Sequence, residues 1–166
     1  MDESGFTMQP YLPYAWQKKD EQIRIFARNN RKRINLLGFM SADLRLSVYQ
    51  NEKSINSDFF IKAVEDYITK IDKPTVLVVD NAPIHRCNAV YQLIEKWQSQ
   101  NLFIFYLPKY SPHLNPIEIL WKRMKYKWLN KSHYHSFRTL KKQIKNIITH
   151  FGVEYTINFK ELNLEN

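Results

Sequence analysis

Two acids in this chain stand where a carboxylate can be put to work on phosphate. Asp80 ends the β-branched run Thr75-Val76-Leu77-Val78-Val79 and is followed by Asn81-Ala82-Pro83-Ile84-His85. Glu118 closes the segment Pro108-Lys109-Tyr110-Ser111-Pro112-His113-Leu114-Asn115-Pro116-Ile117, which continues a second apolar run, Leu102-Phe103-Ile104-Phe105-Tyr106-Leu107. A third acid, Asp2, lies near the other end. Phosphodiester cleavage near neutral pH needs an activated water or hydroxyl and relief of charge on the leaving oxygen. Two divalent ions about 4 Å apart supply both, held by hard oxygen ligands. Asp2 and Asp80 at the ends of adjacent strands, with Glu118 on a helix crossing the same edge, would give that geometry.

Each residue also has a plainer reading. Asn115-Pro116-Ile117-Glu118 spells an N-cap, a first-turn proline and an acid, the pattern of a capping box. Taken alone, that is the commoner use of such a glutamate. Asp80 with Asn81 suits an Asx turn at a strand end, and an acid at a terminus is usually surface. His85 can contact phosphate, orient a carboxylate or make a local hydrogen bond, and His113 carries less weight. Ile117, Leu120, Trp121, Met124 and Trp128 recur at spacings of three and four, which reads as a core stripe. Lys122, Arg123, Lys125 and Lys127 fall to the other face, either to follow a DNA backbone or simply to be solvated.

The elements that must position these groups follow from periodicity. Both apolar runs read as strands buried on two faces, and Asp80 sits at the strand exit where open α/β sheets place ligands. Residues 1–6 read as the last step of a strand, and 10–19 as a loop containing Trp16. Residues 33–40 and 44–50 form a hairpin around Ser41-Ala42-Asp43. Helical spacing covers 56–71 with Asn56 or Ser57 as N-cap, then 88–100, 116–130 and 136–150. This series predicts α/β layering with an antiparallel edge and parallel centre, the ribonuclease H-like arrangement of a mixed sheet flanked by helices, with its first strand truncated.

Composition narrows the partners. A chain of 166 residues, 44% hydrophobic and 14% aromatic, is one domain that can fold without disulfides. Its apolar runs are too short to cross a bilayer, so no membrane is expected. No secretory signal follows Met1. The lone Cys87 suits a reducing cytoplasm and supports no thiolate zinc site. The net charge of +9, from 25 basic against 16 acidic residues, concentrates in 24–33, 122–131 and 138–145. It favours a polyanionic partner or a solvated surface of high pI.

Asp80 to His85, then Leu107 to Glu118, then Trp121 and Lys125 together resemble the DDE endonuclease domain of mariner-superfamily transposases, and are most similar to its bacterial insertion-sequence branch. Asp2-Glu3-Ser4-Gly5-Phe6 is similar to the segment bearing that family's first catalytic acid, with Trp16 where a tryptophan commonly follows. The resemblance covers the chain to about His150, giving a catalytic domain over 1–150 and a tail over 151–166. It implies a ribonuclease H-like fold and Mg2+ or Mn2+ as cofactor, two ions per active site, held by Asp2, Asp80 and Glu118 as catalytic residues. Asn81, His85, Asn115, Lys122 and Lys125 would support the site or contact DNA. The implied activity is DNA transposition, with hydrolytic nicking of the element's ends and then attack of the freed 3′ hydroxyl on target DNA. Double-stranded DNA, from both transposon ends and target, is the implied partner, and a homodimer the active complex. The family's N-terminal helix-turn-helix region is expected to be absent here. The alternative is therefore a catalytically inactive remnant that only binds DNA or other subunits.

Overall fold

A computed structural model of the chain describes residues 1–11, 19, 32–108, 111 and 114–158. Trp16, His113 and the basic stretch 24–31 lie outside these residues. Strand β1 (Asp2–Thr7) pairs antiparallel with β2 (Arg33–Met40), and β2 with β3 (Leu46–Asn51). Asp2 thus lies in β1, in the segment read as a strand over residues 1–6. β1 is polar and has little strand propensity of its own. The apolar β2, buried over most of its length, holds it in register.

Strands β4 (Thr75–Val79) and β5 (Leu102–Tyr106) form a separate parallel pair. The two sheets meet where the Met1 nitrogen donates to the Val78 carbonyl at 2.8 Å. β1 therefore starts level with the end of β4, which brings Asp2 and Asp80 to the same edge.

Helices cover both faces, each sorted by the alternation of strand side chains. Phe6, Ile34 and Leu36 face α4 (Ile117–Arg123) and α5 (Phe137–Thr149), meeting Leu120, Trp121, Leu140, Ile144 and Ile147. Leu37 and Phe39 face the other way, with Leu77 and Val79, against Phe60 and Val64 of α1 (Ser57–Ile68) and Trp97 of α3 (Ile94–Ser99). Asn56 caps α1 by accepting from the Phe59 amide, and Ser136 caps α5 by accepting from Thr139.

Three segments depart from periodicity. The helix expected over 88–100 is two, α2 (Asn88–Tyr91) and α3, because the turn between them tightens to a Leu93-to-Val90 bond. After α4 the chain widens into a π turn over Met124–Trp128, closed by the Leu129 amide on the Met124 carbonyl. Lys131–His135 then make a short 3-10 helix capped by Asn130 and His133. Past His150, in the stretch read as a tail, Phe151 and Ile157 are buried in the α4–α5 core, and the Tyr155 ring lies edge-on to Trp128.

Candidate active site

Asp80 leaves the sheet directly after β4 and keeps a side chain 47% exposed. Its Oδ1 accepts from the Ala82 amide at 3.0 Å and from His85 Nδ1 at 2.7 Å. The Asx-turn reading was correct, and it leaves the acid at the edge. Asn81 ties this exit to the one after β5, donating to the Leu107 carbonyl and accepting from Arg86 at 3.0 Å.

His85 closes the 3-10 turn Pro83–His85 with its side chain fully buried. Its ring packs against Phe60 at 4.6 Å between centroids, and its carbonyl accepts from the Tyr106 hydroxyl at 2.8 Å. Nε2 meets Glu3 Oε1 at 2.9 Å. The fully buried ring therefore meets two carboxylates inside the fold and presents no surface to solvent. Burial alone would pull its pKa down, but the Glu3 and Asp80 carboxylates outweigh that and raise it.

Glu118 is the exposed residue of the first turn of α4, between buried Ile117 and Leu120. The capping box expected of Asn115 and Glu118 does not form. Pro116 stands at the N-cap, where its ring offers no acceptor, and the buried Asn115 side chain donates to the Met1 carbonyl at 3.1 Å. Asn115 thereby fixes the start of β1 against the start of α4.

The three acids feel one another. Burial drives the Asp2 carboxyl up to about 7, helped first by the charge of Glu3 and then by those of Glu118 and Asp80, against a lowering hydrogen bond from the Glu3 backbone. Burial likewise raises Glu118, and the charge of Asp80 adds to it. Three carboxylates under mutual repulsion at one edge of a basic chain are a donor set suited to a hard divalent cation, which would relieve that repulsion. Among the described residues, no three His, Cys, Asp or Glu side chains already stand together as an ion's ligands.

Lys125, expected either to follow a DNA backbone or to be solvated, is not fully solvated. Four residues after Trp121 and within the π turn, it is half-buried, its Nζ 5.4 Å from the Phe6 ring centre and 5.2 Å from that of Tyr11. Burial lowers its pKa while the charge of Asp2 pulls the other way. Lys122 is exposed. Glu3 went unnoticed as a site residue. The signal for it was strand alternation, which turns neighbouring acids to opposite faces.

Residues 1–141 match the family described as DDE superfamily endonuclease. No curated protein matches the chain significantly. Among solved structures, it superposes on the Mos1 strand transfer complex with a TM-score of 0.65 at 15% identity, over 96% of this chain and 48% of that one. Against the Mos1 mariner paired-end complex with Mn the values are 0.62 and 16%, over 97% and 50%. A simian T-cell lymphotropic virus intasome in complex with the PP2A regulatory subunit B56 gamma gives 0.51 and 14%, over 72% and 43%. The likeness is one of fold, and it agrees with the ribonuclease H-like layering. The chain spans about half the length of the transposase chains it resembles.

Proposed function

The chain belongs to the DDE superfamily of endonucleases, and from that premise we propose that it is the catalytic domain of a mariner-type transposase of the bacterial insertion-sequence branch. Membership implies dependence on a divalent metal. In this reading Asp2, Asp80 and Glu118 hold two Mg2+ or Mn2+ ions. Bound there, the ions would activate the attacking oxygen and offset charge on the leaving one. The observation that carries the reading is the Met1 backbone, bonded both to Val78 at the end of β4 and to Asn115 before α4, which supports bringing Asp2, Asp80 and Glu118 to one edge.

The chain's own groups divide the remaining work. His85 holds Asp80 from within the fold, and Asn115 holds β1 against α4. The Lys125 ammonium sets a positive charge near Asp2. Exposed Arg138, Lys142 and Lys145 line α5 at spacings of four and three, offering contacts to a duplex backbone. The substrates are transposon ends and target DNA, taken by a homodimer.

A second reading, an inactive remnant, rests on the basic surface alone, with Arg138, Lys142 and Lys145 exposed along α5. Nicking of supercoiled DNA separates the two. The catalytic reading expects Mg2+- or Mn2+-dependent nicking that Asp80→Asn reduces more than about 100-fold, beyond what loss of an outer partner causes, with salt-sensitive DNA binding nearly intact. Binding without metal-dependent nicking by the unaltered chain would favour the remnant.

A further inference from the structure

We propose that Glu3 is a positioning residue for the Asp80 carboxylate and acts on it through His85. The three side chains come from β1, the β4 exit and the 3-10 turn, so their meeting is a product of the fold rather than of local sequence. Both His85 ring nitrogens are engaged by carboxylates, Nε2 by Glu3 at 2.9 Å and Nδ1 by Asp80 at 2.7 Å. Phe60 packs at a tilt against the ring and Tyr106 holds its backbone, so the imidazole is a fixed strut between the two acids. At the Asp80 end, Oδ1 takes the His85 nitrogen and the Ala82 amide. Oδ2 accepts no hydrogen bond from the described residues, and the side chain remains half exposed.

Adjacent acids on β1 thereby serve different ends. Asp2 belongs to the charge cluster with Glu118, while Glu3 anchors the far side of the imidazole. Without Glu3 the ring keeps one of its two polar anchors, and the Asp80 rotamer loses the support that fixes it. Such outer partners orient ligating groups and commonly set metal affinity by about 10- to 100-fold. The inference rests on Asp80 being a metal ligand, as proposed above.

Isothermal titration of the full chain with Mn2+ tests it without relying on activity. Glu3→Ala and the near-isosteric Glu3→Met are both made, and whichever melts as a folded chain is read. The expected result is a loss of Mn2+ affinity of about 10- to 100-fold, with Glu3→Gln, which keeps an acceptor for Nε2, binding close to the unaltered chain. In a His85→Gln background the same Glu3 substitution should cost little further, because the strut is already gone. Unchanged affinity in the Glu3 variant, or additive losses in the double variant, would overturn the proposal, provided Asp80→Asn abolishes binding. Mn2+ affinity that survives Asp80→Asn would instead defeat the functional reading on which it rests.

Discussion

Asp2 bears a heavy electrostatic load, and that load makes stability depend on pH with a definite sign. The folded chain keeps the Asp2 proton to about pH 7, whereas the unfolded chain releases it near 3.8. Between those values the folded state binds more protons, so stability falls as pH rises; Glu118, also raised, acts in the same direction. At about 1.4 kcal/mol per pKa unit, the effect is on the order of a few kcal/mol. Burial lowers the Met1 amine to about 6, which opposes the trend only above that pH, so the clean window is pH 4 to 6. Thermal melts there should show stability declining with pH, and Asp2→Asn should flatten the decline; an unaltered slope would remove Asp2 from the cluster. Residue type and motif put Asp2, Asp80 and Glu118 forward as the candidates. Glu3 and the true job of Asn115 were not legible, because their partners, His85 and Met1, are distant in sequence and are brought near only by the sheet.

The delivery of Glu118 to Asp2 depends on a glycine that sequence periodicity does not single out. Gly38 pairs with Asp2 in the β1–β2 register. A Cβ there would come within 2.7 Å of Trp121 and 2.8 Å of Ile117, so its absence seats the first turns of α4 on the sheet. Gly38→Ala should cost about 1–3 kcal/mol by overpacking, measured by urea denaturation, and should weaken Mn2+ binding as α4 is pushed off. A variant with both unchanged would show that α4 is held by something else. Asn101 closes α3 in the left-handed region at φ 65°. Asn101→Val should therefore destabilise by about 1–2 kcal/mol, while Asn101→Gly is tolerated. The strands and the cap of α1 were legible because local signals agree with burial. The α2–α3 break and the π turn were not, since no proline or glycine marks either one, and packing alone sets them.

The molecule as a whole carries a net charge of +9, and no helix among the described residues is long and apolar enough to cross a membrane. Phosphate contacts give affinity without sequence information, so this chain should bind duplex DNA weakly, at about 10⁻⁴ to 10⁻⁶ M near physiological salt. Fluorescence anisotropy on a terminal-repeat duplex and a scrambled one should give similar affinities that fall steeply with added salt. Charge reversal at Arg138, Lys142 and Lys145 together should weaken both alike. A strong preference for the repeat would mean that this domain reads sequence itself.

The central claim, that Asp2, Asp80 and Glu118 are one divalent-metal site, is tested most directly by anomalous diffraction from crystals of the full chain grown with Mn2+. The account predicts anomalous peaks at about 2–2.3 Å from carboxylate oxygens of Asp80 and of both other acids. Peaks on other groups, with these three carboxylates left bare at saturating Mn2+, would contradict it.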